Sequence, residues 1–253
     1  MRKTLACTVV ALTCGISGSA MAQSASAVDW SGFYVGGQLG AAKSSSDVSM
    51  LVGVSKYLDA TDARQIARVG DGQIDQWRAV GGLVGGYGKQ FGNVLLGIEG
   101  GANSLSFNKE RQRTQEIDSL PGTQSTISQS VSADWMAGLR LKLGWAANNW
   151  LAYVTGGVAA TRLKLDASYV DNAFNGLSKG SKSVTKTGWS LGLGGEYALS
   201  QNWSLRGDYL YTRFGDISME TETTSTNNSG GTLVHKADLE IHGLFVGVNY
   251  RFK

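Results

Sequence analysis

Charged residues recur at every second position in segments that are otherwise apolar. Arg140 and Lys142 follow this spacing, as do Arg206 and Asp208. A spacing of two places side chains on one face of a β-strand. Ionised groups held away from water need a partner of opposite charge. The pattern therefore predicts a network of paired charges on the enclosed face of a β-sheet, which is the lumen if the sheet closes into a barrel. By strand parity its members are Arg78, Glu99, Asp134, Arg140, Lys142, Glu196, Arg206, Asp208 and Arg251.

Residues suited to acid–base or nucleophilic chemistry are few. The chain has two histidines, His235 and His242, with Asp238 and Glu240 between them and Ser229 shortly before. A hydrolytic site needs a nucleophile, a base and an orienting group within reach of one another, and no spacing singles these residues out. We therefore predict no catalytic residues, no metal or cofactor site and no enzymatic activity.

The first 22 residues have the features of a secretory signal. Arg2 and Lys3 precede an apolar run from Leu5 to Ile16, and Ala20-Met21-Ala22 forms a small-residue cleavage signature. We expect cleavage between Ala22 and Gln23, with a signal peptide at 1–22 and one domain at 23–253. The chain's two cysteines, Cys7 and Cys14, lie within this leader. The alternatives are an uncleaved membrane anchor and a weak lipobox at Cys14.

Composition narrows the class of protein further. A net charge of +3 and the absence of a concentrated basic surface give no indication of nucleic-acid binding. With 35 glycines and 1 proline, the chain is neither collagen-like nor proline-rich. After residue 22 no run of ~18 apolar residues follows, so any membrane crossing must use strands.

Eight segments alternate between apolar and polar residues. They predict strands at about 30–42, 76–91, 94–105, 131–146, 150–165, 187–199, 203–214 and 239–252. The connections between them alternate in length, with long polar ones at about 43–75, 106–130, 166–186 and 215–238. Short turns at one rim and long loops at the other are typical of an up-and-down membrane barrel. We therefore predict an all-β, eight-stranded antiparallel transmembrane barrel.

The charges indicate which face of the sheet meets lipid. A charge facing lipid at mid-depth costs roughly 2–4 kcal/mol. The charged face should therefore look inward, although Arg162 and Lys164 leave the fifth strand ambiguous because they share a face with Val154 and Val158.

Aromatic residues fall near the strand ends, as expected of interfacial girdles. The loop-side residues are Trp77, Trp135 and Trp189, the turn-side residues are Trp145, Trp150, Trp203, Tyr250 and Phe252, and Trp30 precedes the first strand.

Eight strands enclose an interior just wide enough for side chains. The inward face mixes small residues with charges of both signs, which is compatible with a closed lumen or with a narrow pore. Of the loops, Lys56 to Val69 has a helical pattern, and 221–231 is rich in Ser, Thr and Asn. The basic cluster of Lys109, Glu110, Arg111 and Arg113 could contact lipopolysaccharide phosphates or simply face solvent.

Two motifs lie at the ends of the mature chain, Trp30–Gly40 (WSGFYVGGQLG) and Val246–Phe252 (VGVNYRF). They resemble the porin-family small outer-membrane proteins, a group that includes immunogenic surface antigens and haemin-binding proteins. Lys253 follows where the group usually ends on an aromatic. The resemblance implies a barrel in the outer membrane, inserted by the barrel-assembly machinery. A membrane barrel of this size can act alone, so we expect a monomer. It implies a structural or surface-antigen role, with a narrow channel or haemin binding at the loops as alternatives.

Overall fold

The computed structural model describes residues 28–52, 64, 67–68, 71–116, 122–171, 177–222 and 232–252. The signal and cleavage residues, the segment 223–231 and Lys253 lie outside these ranges. Of the helix predicted at 56–69, the described residues Arg64, Ala67 and Arg68 are helical, and the Asp71 amide donates to the Ala67 carbonyl at 3.1 Å.

Eight antiparallel strands close into a barrel in sequence order, which confirms the predicted fold. Their bounds are β1 Gly32–Val52, β2 Gly72–Phe91, β3 Val94–Glu116, β4 Gln124–Ala147, β5 Trp150–Asp171, β6 Leu177–Ala198, β7 Trp203–Glu222 and β8 Thr232–Arg251. No helix in the described part of the chain is long and apolar enough to cross a bilayer.

The strands extend much further than predicted on the side of the long connections. Most of 106–130, 166–186 and 215–238 is strand, so the prediction of long polar loops there was wrong, whereas the long connection 53–71 remains between β1 and β2. The alternation continues in these segments, as in β5, where Leu163, Leu165 and Ala167 are buried between polar neighbours. In these extensions the outward positions are occupied by polar residues. The segments were therefore predicted to be loops because their sequences are rich in polar residues.

The strand extensions separate into two sheets. Pairing of β2 with β3 ends at Gly81 and Ser104, and pairing of β6 with β7 ends at Gly188 and Phe214. The other six strand pairs remain paired over most of the extensions. Beyond these two points, β7-β8-β1-β2 faces β3-β4-β5-β6 across two opposite gaps, which we call seams. The outer half is therefore a sandwich of two four-stranded sheets standing on the barrel.

An apolar core fills the space between the two outer sheets. Its large members include Phe107, Leu165, Phe214, Leu239 and Ile241, all nearly inaccessible to solvent. A smaller apolar cluster closes the opposite end of the barrel and contains Trp30 with Leu95, Ala146, Leu151 and Tyr153. Trp30 is 1% exposed, so its expected place at a girdle was wrong. It fills the lumen because the chain enters the barrel before β1 begins.

Candidate functional site in the barrel lumen

Glu99 on β3 is the centre of a buried ionic network between the two apolar clusters. Its carboxylate accepts hydrogen bonds from Arg140 Nη2 at 2.8 Å, from Arg206 Nη1 at 2.9 Å and from the Tyr34 hydroxyl at 2.8 Å. Glu99 is fully buried, and the two arginines are nearly so. A carboxylate in this position is stable because several donors surround it.

Glu196 on β6 is the second buried acid. Lys142 Nζ donates to its Oε1 at 2.6 Å and the Ser204 hydroxyl donates to its Oε2 at 3.0 Å, while Arg251 Nη2 lies 3.6 Å from the same Oε2. Lys142 Nζ is also 3.9 Å from Glu99, and this contact joins the two acids into one network.

Asp208 and Tyr153 extend the network to a third acid. Arg206 Nε donates to Asp208 at 2.6 Å, and the Tyr153 hydroxyl donates to the same carboxylate at 2.5 Å. Lys142 Nζ lies 3.7 Å from the centre of the Tyr153 ring, within cation–π range. With Tyr34, Arg251 and Glu196, these contacts connect side chains from seven of the eight strands. The network therefore links strands on opposite sides of the barrel through its interior.

Arg78 and Asp134 do not join this network. Asp134 and Trp135 form a bulge on β4 opposite Arg162, and the extra residue reverses the parity of β4. Asp134, predicted to face inward, is therefore exposed, and its neighbour Ala133 is buried instead. Arg78 has inward parity but is exposed, because it lies beyond the last β2–β3 pair, at the seam.

Two tyrosines of the network carry no charge and were missing from the predicted set. Tyr34 and Tyr153 both point into the lumen. Neither β1 nor β5 carries a predicted inward charge, and the charges of β5 left its orientation ambiguous, so the charge pattern did not identify these tyrosines. Glycine on the neighbouring strand makes room for each ring. A Cβ at Gly86 would lie 2.8 Å from the Tyr34 ring, and a Cβ at Gly194 would lie 2.8 Å from the Tyr153 ring.

Little free space remains around the network. The cavity lined by Glu99, Arg140, Arg206 and Asp208 has a volume of about 10 Å³. That volume is at the lower limit for a single water molecule.

Outward-facing aromatic residues form two rows around the barrel. Trp77, Trp135 and Trp189 lie in the outer row. The inner row includes Trp145, Trp150, Trp203, Tyr250 and Phe252. Trp189 is paired with Val158, which lies eight residue steps beyond Trp150 on β5. At ~3.3 Å per residue and a tilt of about 40°, the rows are roughly 20 Å apart, close to the apolar band of an outer-membrane barrel.

The outer aromatic row also accounts for the ambiguous fifth strand. Arg162 and Lys164 face outward, on the same side of β5 as Val154 and Val158, and both are solvent-exposed. They lie beyond Val158 and Trp189, outside the lipid-facing band.

The two histidines occupy different environments. His242 faces outward at the outer aromatic row, where its Nδ1 is 2.8 Å from the Tyr209 hydroxyl. His235 is buried between the outer sheets, 3.3 Å from Gln129 and 3.4 Å from Thr221. His235 was expected in or beside a loop. It lies on a strand instead, because β8 begins at Thr232, and its side chain points between the two outer sheets.

The family comparison agrees with this architecture. Residues 9–252 match the model of the outer membrane protein beta-barrel domain. The chain belongs to this family. It is therefore an integral β-barrel protein of the outer membrane, in contact with lipid along its apolar band.

Similar curated proteins are outer-membrane antigens by name. The 31 kDa outer-membrane immunogenic protein of Brucella melitensis is 32% identical over 68% of this chain, and the match spans 66% of that relative, slightly less than two thirds. The 25 kDa outer-membrane immunogenic protein of Brucella abortus is 26% identical over 73% of this chain and 70% of its own length. Among solved structures, OprG of Pseudomonas aeruginosa is similar with 13% identity and a TM-score of 0.46, covering 88% of this chain and 96% of that one.

Proposed function

We propose that this protein is a closed, non-enzymatic outer-membrane barrel that displays a rigid two-sheet surface structure outside the cell. The observation that carries the proposal is the filled lumen. An apolar cluster, an ionic network and a second apolar core follow one another along the barrel axis. This arrangement supports a structural role over the alternative of a narrow channel.

The outer sheets are the part of the molecule that the surroundings can reach. They rise thirteen residue steps beyond Val158 on β5, roughly 30 Å above the outer aromatic row at the same rise and tilt. A surface-antigen role fits this geometry and agrees with the names of the similar proteins, which are called immunogenic outer-membrane proteins and match 68% and 73% of this chain. Haemin binding lacks comparable support, since His235 is buried and His242 is bonded to Tyr209.

Lipopolysaccharide is the partner that we propose for the outer surface. The basic cluster of Lys109, Arg111 and Arg113 lies on β3 rather than in a loop, along the edge that faces the β2–β3 seam. Arg111 Nη1 donates to the Asp71 carbonyl across this seam at 2.7 Å. Phosphates of neighbouring lipopolysaccharide can reach such an edge because it opens sideways above the membrane.

Assembly follows the usual route of membrane barrels in this proposal. A signal at 1–22 is removed, and the barrel-assembly machinery inserts the monomer through the C-terminal strand, β8. The intact mass of protein extracted from outer membranes tests the first step, because removal of the signal leaves a chain that begins at Gln23.

Conductance in planar lipid bilayers tests the closed lumen. The purified protein is expected to give no stepwise ion current. A Glu99→Ala/Arg206→Ala variant, which removes a charge pair together with its side-chain volume, is expected to stay closed as well, because an apolar cluster fills the lumen on each side of the network. Discrete current steps from the unaltered protein would overturn the proposal.

A further inference from the structure

Three side chains that bind soft metals lie side by side inside the outer sandwich. His235 on β8 is paired with Met50 on β1 and with Met219 on β7. Directly opposed residues of antiparallel strands point to the same face, with Cβ atoms about 4.5–5.5 Å apart. All three side chains are buried, with exposures of 1% for His235, 1% for Met50 and 6% for Met219.

The imidazole of His235 is held in a form that can bind a metal. Burial lowers its pKa to about 4, so the ring is neutral near pH 7. Gln129 contacts Nδ1 at 3.3 Å, and Nε2 has a long contact of 3.4 Å with the Thr221 hydroxyl. A metal-binding histidine usually donates its second ring N–H to an acceptor. The Gln129 amide takes that role when it is turned so that its Oε1, rather than its Nε2, faces Nδ1.

We propose that Met50, His235 and Met219 form a site for one Cu(I) ion. Thioether sulfur selects Cu(I) among biological metals, and imidazole is compatible with it. Among the residues that the structure describes, no three His, Cys, Asp or Glu side chains are grouped closely enough to bind a metal ion. The site at His235 is therefore not part of a carboxylate-rich Zn(II) or Ca(II) site.

Methionine often serves only to fill an apolar core, and Met136 is an example of such a residue in this protein. Met136 is 4% exposed and belongs to the same outer core. Its partners in register are Asn103 and Thr161, neither of which is a ligand for a soft metal. The combination of two thioethers with one imidazole therefore distinguishes the site at His235 from ordinary packing.

The β6–β7 seam offers the ion a way in. Met219 lies on the seam edge of β7, opposite Gly180, where an added Cβ would be 3.2 Å from its sulfur. Backbone pairing between the two strands has ended below this level, and Lys182 Nζ bridges the gap by donating to the Ser218 carbonyl at 2.7 Å. Opening the gap here breaks side-chain bonds and leaves the strand ladders intact.

Anaerobic competition with the Cu(I) chelator bicinchoninate tests the site on protein extracted from outer membranes in detergent. We expect the protein to withdraw one Cu(I) per chain. Met50→Leu and Met219→Leu, which nearly conserve volume, should each weaken binding by more than about tenfold, and His235→Gln should weaken it at least as much. Met136→Leu and His242→Gln are the matched controls and should bind as the unaltered protein does.

X-ray absorption of the copper-loaded protein gives a second readout that does not depend on how stable each variant is. We expect sulfur and nitrogen neighbours together, and a loss of sulfur in Met219→Leu. The proposal is overturned if the protein fails to compete for Cu(I), if Met136→Leu loses as much affinity as Met219→Leu, or if the copper has no sulfur neighbour.

Discussion

The membrane half and the outer half of this barrel use the same strands with opposite arrangements of side chains. Between the aromatic rows, Leu141 and Val158 face lipid while Glu99 and Arg206 are enclosed. Beyond the outer row, apolar side chains such as Leu165 are enclosed, and charged residues such as Arg162 and Lys164 face out.

This difference shows that the solvent around a sheet decides which face is apolar. Lipid favours apolar side chains outside, so polar groups must pair inside. Water favours the reverse, as in a soluble sandwich. The bulges at Asp134–Trp135 on β4 and at Gly215–Asp216 on β7 lie at this boundary and reset the parity of their strands.

The largest expected effect comes from breaking the enclosed charges of the membrane half. Glu99→Gln leaves Arg140 and Arg206 without their carboxylate and should lower the free energy of unfolding by about 3–5 kcal/mol. Denaturant unfolding in detergent measures this loss. Glu110→Gln, an exposed carboxylate on the same strand, is the control and should change little; equal losses from both variants would argue against a buried network.

In the outer half, a cavity made in the apolar core should also lower the free energy of unfolding. Leu165 is 0% exposed, and Leu165→Ala should cost about 2–5 kcal/mol. Trypsin should then cleave the outer sheets while the membrane half stays intact. Leu141→Ala removes the same atoms from the lipid face and should cost less than about 1 kcal/mol. Cleavage that is equally fast in both variants would contradict an apolar outer core.

A charge on the outward face should be tolerated in one half and not in the other. Leu141→Arg places a cation against lipid and should cost about 2–4 kcal/mol. Ala160→Arg, on the neighbouring strand just beyond the outer aromatic row, should cost about 0–1 kcal/mol. Urea unfolding in lipid vesicles compares the two variants, and similar costs would place the lipid boundary elsewhere.

Acid should weaken the outer half through His235. Because its folded pKa is lowered to about 4, the neutral ring stabilises the fold above the unfolded value of about 6.5. This contribution is lost as pH falls from about 6.5 toward 4, by at most ~1.4 kcal/mol per pH unit. Proteolysis of the outer sheets across this range measures it. The dependence should disappear in His235→Gln and persist in His242→Gln.

The smallest effect is expected at the seam. Lys182 and Lys186 on β6 donate to the carbonyls of Ser218 and Asp216 on β7. Lys182→Met and Lys186→Met should each cost about 0.5–1.5 kcal/mol and speed hydrogen exchange in the outer part of β7. Lys179→Met, which alters an exposed residue of the same strand, should leave exchange unchanged. No difference among the three would show that the lysines do not hold the seam closed.

The sequence predicted the fold because period-two patterns and short turns depend on neighbouring residues alone. It also predicted which side of β3, β6 and β8 carries Glu99, Glu196 and Arg251, because these strands contain no break in parity between the aromatic rows. It failed at Asp134, since a bulge depends on the register of two neighbouring strands. The sequence did not predict that Arg78 is exposed or that the outer strand extensions form a sandwich. The seams, and the level at which the strands leave the membrane, are properties of the closed barrel as a whole.

Nitroxide scanning along β5 tests the central claim most directly, because β5 crosses both halves and its odd-numbered positions stay buried along most of its length. The chain's cysteines, Cys7 and Cys14, precede residue 23, so single labels can be introduced one at a time. Labels at Ala152, Val154 and Val158 should be accessible to oxygen in lipid, and labels at Arg162 and Lys164 to a water-soluble nickel chelate. If both groups were accessible to the same reagent, the strand would not pass from lipid into water, and the two-half account would be wrong.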